Sequence, residues 1–172
     1  MPRGCPEECS MNRERHAQAA QTNRMRVEMD MVEEWCRALE PKFYSSPKRP
    51  GDHIDGIEYY VELTEGTLFG SSRVRLELVV PEDYPAEIPR IYVPGLTIDD
   101  WDGNAHMYRD KENDIHMCIF FPEDWTMDHT LACMMVRSTI WLNKYVVYRE
   151  TGVWPGKGQA HCGKCGKREC EC

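Results

Sequence analysis

Two groups of residues in this sequence could carry chemistry. The first surrounds Cys118 in the run Ile115-His-Met-Cys-Ile-Phe-Phe-Pro122, with His106, Tyr108, Asp110, Asp114 and His116 close by. A thiol among histidine, tyrosine and carboxylates has the ingredients of a nucleophile, because the thiolate attacks carbonyl carbon readily and leaves it readily. The competing reading is a small apolar residue packed in a short strand, which is where free cysteines are commonly found. His116 lies two residues from Cys118, so in an extended segment both side chains point the same way and the imidazole could modulate the thiol; otherwise it is an exposed histidine beside a shallow groove. Asp110, Asp114 and Asp124 could orient or deprotonate an incoming amine, or be ordinary solvated acids.

The second group is the terminal run His161-Cys-Gly-Lys-Cys-Gly-Lys-Arg-Glu-Cys-Glu-Cys172. Its CxxC pair, followed after four residues by CxC, suggests Cys162, Cys165, Cys170 and Cys172 as thiolate ligands of a soft metal such as zinc. The gap is short for a zinc finger, and a tail that stays unliganded or oxidises at random is the alternative. Cys36, beside Trp35, and Cys133, in the run Leu131-Ala-Cys-Met-Met, are expected to be core filler.

The scaffold that would hold these groups is small. The 172 residues suit one compact domain, and 41% hydrophobic with 29% charged residues is an ordinary soluble composition. With 21 lysines and arginines against 29 acids the formal charge is −8, a field that repels phosphate backbones, so nucleic acid is not an expected partner. Charges interrupt every apolar stretch, and no basic start leads into an apolar segment, so neither a membrane partner nor export is expected. The nine cysteines are then read as free thiols of a reducing cytoplasm.

Residues 1–15 are polar, contain two prolines and lack an apolar period, and are read as a flexible leader. From about His16 to Glu40, Met25, Met29, Val32, Trp35, Cys36 and Leu39 recur at helical steps, with Arg24, Glu28, Glu33 and Arg37 assigned to other faces; Pro41 ends the helix. Gly56–Leu63 and Arg73–Val79 read as strands, the second alternating Val74, Leu76 and Leu78 with Arg73, Arg75 and Glu77. Arg90–Val93 is a third, short strand between prolines. Residues 97–124 sustain no period and are the expected active region. A heavily buried second helix is expected from about Asp128 to Tyr148, carrying Leu131, Met134, Met135, Ile140, Trp141, Leu142 and Tyr145, with Gly152 suited to its stop.

A helix, a strand meander, the turn Pro81-Glu-Asp-Tyr-Pro-Ala-Glu-Ile-Pro89, a short strand, a long loop with His106 then Cys118, Trp125 and a final helix together resemble the ubiquitin-conjugating enzymes over roughly residues 16–150. The resemblance implies an α+β fold of that type: an N-terminal helix, an antiparallel meander, an active-site loop and a C-terminal helix. On it the chain divides into a leader (1–15), a ubiquitin-conjugating-like domain (16–156) and a Cys-rich tail (157–172). Cys118 takes the place of the thioester cysteine, and His106 that of a histidine that braces the loop. The sequence His106-Met-Tyr108 departs from the family's His-Pro-Asn, so Tyr108 stands as the candidate substitute for the asparagine that serves the oxyanion.

The His-x-Tyr pattern, Met117-Cys-Ile-Phe120, Trp125, Trp141-Leu142, Tyr148-Arg-Glu-Thr-Gly152, Trp154-Pro-Gly156 and His161 look closer to a bacterial branch, found in the anti-phage systems called CBASS. That resemblance implies a transferase whose cysteine carries a protein C-terminus as a thioester and passes it to an amine. The expected partner is the cyclic-oligonucleotide synthase, a cGAS-like nucleotidyltransferase, with or without a separate activating enzyme, and transfer needs no cofactor. The alternatives are a catalytically silent binding module on the same fold and a metal-tethered interaction protein acting through its tail.

Overall fold

The protein is described here by a computed structural model, which covers residues 8–45, 54–102, 105–110 and 113–156. Helix α1 (Glu8–Trp35) is followed by a single 3-10 turn, Arg37–Leu39. It begins ahead of the expected start near His16 because the polar residues before that point continue the helix without adding an apolar face, a pattern that periodicity cannot register. Glu40 adopts a left-handed conformation, φ 52°, with its N–H bonded to the carbonyl of Arg37, and Pro41 follows.

Four strands form one antiparallel sheet in the order β1 (Lys42–Tyr44), β2 (Gly56–Glu62), β3 (Arg73–Val79), β4 (Arg90–Tyr92). The meander β2–β3–β4 is the one expected from the alternation. Strand β1 was not expected: three residues after a proline carry no period, and only their pairing with β2, Lys42 with Glu58, Phe43 with Ile57 and Tyr44 with Gly56, defines the strand. Gly56 is required at this edge, since a Cβ there would come within 2.5 Å of the Leu78 carbonyl oxygen.

Ile57, Tyr59 and Val61 from β2 and Val74, Leu76 and Leu78 from β3 are all buried. They share one core with Met25 and Val32 of α1, with Cys36 just after it, and with Leu131, Met134, Met135, Leu142 and Tyr145 of α2 (Leu131–Thr151). Burying a side chain of this size contributes about 1.5–3 kcal/mol, so the apolar face of the sheet and α2 hold each other in place. Tyr59 and Ser138 form a polar pair inside that core, hydrogen-bonded at 2.6 Å. The Thr130 hydroxyl caps α2 by accepting from the Cys133 N–H, and Gly152, φ 71°, closes the helix as the sequence suggests.

Three helical positions depart from expectation. Trp35 and Ile140 are 64% and 54% exposed, although their spacing placed them on core faces. Glu28, assigned to a solvent face, is 2% exposed. Its Oε1 accepts from the Tyr84 hydroxyl at 2.6 Å and from the Arg24 guanidinium at 3.1 Å. Its Oε2 accepts from the Leu131 N–H at 2.9 Å. A buried carboxylate is tolerated here because every contact is a donor and one is the positive end of α2.

Candidate active site

The active region expected over residues 97–124 is not without regular structure. It contains a two-stranded antiparallel sheet, β5 (Met107–Arg109) with β6 (Ile115–Met117). Met107 and Met117 pair across it, both buried, and anchor the hairpin to the core. Tyr108 and His116 pair on the opposite face with ring centroids 5.4 Å apart. Three residues per strand give too short an alternation to detect in sequence. Asp110 closes the hairpin: its Oδ1 accepts from the Asp114 N–H at 2.9 Å, and its other carboxylate oxygen lies 3.8 Å from Arg90. Its carboxylate is therefore engaged in the turn. Asp114 and Asp124 are exposed.

Cys118 follows β6 directly. Its backbone N–H donates to the carbonyl of His106 at 2.9 Å, and the Trp141 indole N–H donates to the same carbonyl at 2.9 Å. His106 is held in the left-handed region, φ 52°, with its ring 4.8 Å from that of Trp154. A loop on each side of the hairpin is thus tied to α2 through one carbonyl oxygen. Trp125 secures the far side by donating from Nε1 to the Pro85 carbonyl at 2.8 Å, which joins the Tyr84-Pro85 turn to the segment after the cysteine.

The Cys118 thiol is half-buried and hydrogen-bonded to the Tyr108 hydroxyl. Burial pushes the thiol up to about 11, the Tyr108 hydrogen bond pulls it down, and the Glu123 carboxylate pushes it up again. The Tyr108 hydroxyl also reaches the Phe120 carbonyl at 3.3 Å, and burial and its bond to Cys118 keep the phenol protonated. At rest the site therefore holds a neutral thiol beside a phenol. Cys36 is buried and its thiol is pushed up by burial, while Cys133 is half-buried on α2. Neither adjoins the hairpin.

His116 is not an exposed histidine. Burial, aided by Arg90, pushes its imidazole down to about 4, and Nδ1 is buried with no hydrogen-bond partner among the described residues. The ring lies between Tyr92 and Tyr108, with centroids 5.8 and 5.4 Å away. It borders a cavity of about 330 Å³ that is walled also by Tyr108, Met117, Ile119 and Met134. Cys162, Cys165, Cys170 and Cys172 lie outside the described residues, as does His161. Among the described residues, no group of three or more His, Cys, Asp or Glu could hold a metal ion, and no helix is long and apolar enough to cross a membrane.

The buried Glu28 was the functionally placed residue missed in the sequence, since it fixes the start of α2 behind the site. A signal existed: position 28 is in phase with Met25 and Val32, so it belongs to the face assigned to the core.

A meander backed by a long helix, followed by a half-buried cysteine on a loop clamped between hairpin and helix, is an α+β arrangement compatible with a ubiquitin-conjugating-like fold, with Cys118 as its candidate nucleophile. The model of the family described as Type II CBASS E2 protein matches residues 57–162, a span holding β2 through α2 and Cys118, and the chain belongs to that family. No curated protein matches the sequence. The family's description carries an E2-like conjugation role within CBASS, that of a conjugating transferase working with other components of the system.

Proposed function

We propose that this protein has a ubiquitin-conjugating fold and carries an activated protein C-terminus as a thioester on Cys118. The Cys118 thiolate attacks the activated carbonyl, forming a C–S bond as the bond to the leaving group breaks. An acceptor amine then attacks the thioester, forming an amide as the thiolate departs and the amine proton passes to solvent. The activated acyl group comes from the cyclic-oligonucleotide synthase of the same defence system, as an adenylate or thioester made by an activating activity.

The observation that carries this reading is a half-buried Cys118 whose N–H is held on the His106 carbonyl at 2.9 Å, with the Tyr108 hydroxyl placed to pull the thiol down. A donor so placed offsets charge on the thiolate. It also stands where a hydroxyl can donate to the oxyanion of a tetrahedral intermediate, the task of the family asparagine absent from His106-Met-Tyr108. His106 supports the loop through its carbonyl and its packing against Trp154.

The raised thiol also favours a second reading, a silent binding module in which Cys118 is never ionised. One experiment separates the two. The protein is incubated with its synthase and an activating source, and adducts are resolved with and without reductant. A reducible adduct lost in Cys118→Ala supports the thioester; an adduct that survives the substitution, or none with a folded wild type, refutes it.

A further inference from the structure

The cavity beside Cys118 is larger than transfer of a carbonyl group requires. Met117 and Ile119, the residues on either side of the nucleophile, form part of its wall together with Tyr108 and with Met134 of α2. At about 330 Å³ it falls in the size range of ligand pockets rather than of packing gaps. Its lining is largely apolar and includes two methionines, Met117 and Met134, whose sulfurs pack well against aromatic rings.

The polar groups narrow the choice of occupant. Buried Nδ1 of His116 has no partner among the described residues, so a hydrogen-bonding atom reaching it would satisfy a group that is otherwise desolvated and unpaired. Arg90 and Arg109 both line the cavity and oppose a cationic side chain. A carboxylate gains little from them. Arg90 is already approached by Glu87 at 3.4 Å and Asp110 at 3.8 Å, Arg109 lies over the Trp101 ring at 5.2 Å, and Glu87 itself stands on the rim. A neutral side chain with an apolar body and a polar tip fits every wall.

The geometry points to a side-chain pocket: the cavity takes an aromatic residue with a hydrogen-bonding tip, tyrosine above all, from the tail of the polypeptide whose carboxyl end Cys118 accepts. One extended residue spans about 3.3 Å, so a residue one or two places before the acylated terminus can enter while the carbonyl sits at the thiol. The inference rests on the thioester reading, and the test keeps the two apart.

Wild type is mixed with N-acetyl-Xaa-Gly alkyl thioesters, Xaa being Tyr, Phe, Gly or Lys, and acylation of Cys118 is followed by intact mass. The Cys118–acyl C–S bond forms as the donor's C–S bond breaks and the alkyl thiolate leaves. In parallel, N-acetyl-Tyr-Gly-amide and N-acetyl-Gly-Gly-amide are titrated while the His116 ring signals are read by NMR. The Tyr donor is expected to react at least tenfold faster than the Gly and Lys donors, with Phe between. Ile88 also lines the cavity; Ile88→Trp, which fills part of its volume, should bring the four rates together, and His116→Phe should remove the advantage of Tyr over Phe. Only the Tyr amide should move the His116 signals. Equal rates for all donors overturn the pocket and leave the thioester reading standing. Shifts at His116 with no acylation from any donor overturn the thioester reading while the pocket keeps its ligand, and neither acylation nor shifts overturn both.

Discussion

The carbonyl oxygen of His106 accepts the backbone N–H of Cys118 at 2.9 Å, so the position of the nucleophile depends on the backbone conformation of a residue twelve places earlier. That conformation, φ 52°, suits asparagine and is strained for a β-branched residue. His106→Val is expected to be less stable than His106→Asn by about 1–3 kcal/mol and to give less Cys118 adduct. Urea denaturation of the two variants checks this, and equal midpoints would show that the left-handed conformation is not enforced.

The thiol of Cys118, pushed up to about 11 by burial, should respond to pH unlike an ordinary cysteine. Its alkylation by iodoacetamide should rise about tenfold per pH unit from 7 to 10 without levelling, whereas a thiol of ordinary acidity levels near its pKa of ~8.5. Tyr108→Phe removes the hydrogen bond that pulls the thiol down, so alkylation at pH 9 should slow. Acyl transfer should fall by about 10²–10³-fold if the hydroxyl serves the oxyanion. Peptide mapping of labelled Cys118 reads the first effect and single-turnover transfer the second. An unchanged labelling rate would remove Tyr108 from the thiol's surroundings.

Glu28 joins three elements through Arg24, Tyr84 and the Leu131 N–H. Glu28→Ala leaves the guanidinium, the phenol and the start of α2 without their shared acceptor. It is expected to cost about 3–5 kcal/mol, the range for removing one partner from a buried ionic group. Glu28→Gln, which keeps one carbonyl oxygen but places an amide NH₂ among donors, should fall between. Chemical denaturation at neutral pH measures both, and a loss below about 1 kcal/mol for the alanine variant contradicts the assigned role.

His116, pushed down to about 4 by burial and Arg90, links stability to acid. Its imidazole is neutral when folded and takes up a proton on unfolding once the pH falls below the ordinary value near 6.5. The unfolded state thus binds more protons between about 6.5 and 4, and stability falls as the pH drops through that window. Between pH 7 and pH 5 the loss is roughly 2 kcal/mol, from about 1.4 kcal/mol per pH unit. His116→Asn should flatten the dependence, and denaturation midpoints at the two pH values test it; parallel curves for wild type and variant would disprove a neutral buried imidazole.

The strands Arg73–Val79 and Gly56–Glu62 and the stop of α2 at Gly152 were all legible in the sequence, because period-two alternation and a glycine after a helix are local signals. Residues Lys42–Tyr44 and Met107–Arg109 were not, since a three-residue strand exists only through its partner. The same limit applied to side chains. Trp35 follows the helical phase of the core face, but a helix of this length is covered only where another element meets it, and no local pattern says where that is; Glu28 shares the phase of Met25 and Val32, and only its residue type pointed to solvent. The sequence by itself determined the family, the α+β class and the identity of the candidate nucleophile, all matters of residue type and order. Only the tertiary structure decided that burial pushes the Cys118 thiol up, that the His106 carbonyl receives the Cys118 N–H and that half-buried His116 holds a buried Nδ1 with no partner among the described residues. Ionisation and hydrogen bonding depend on desolvation and on groups brought together from distant parts of the chain.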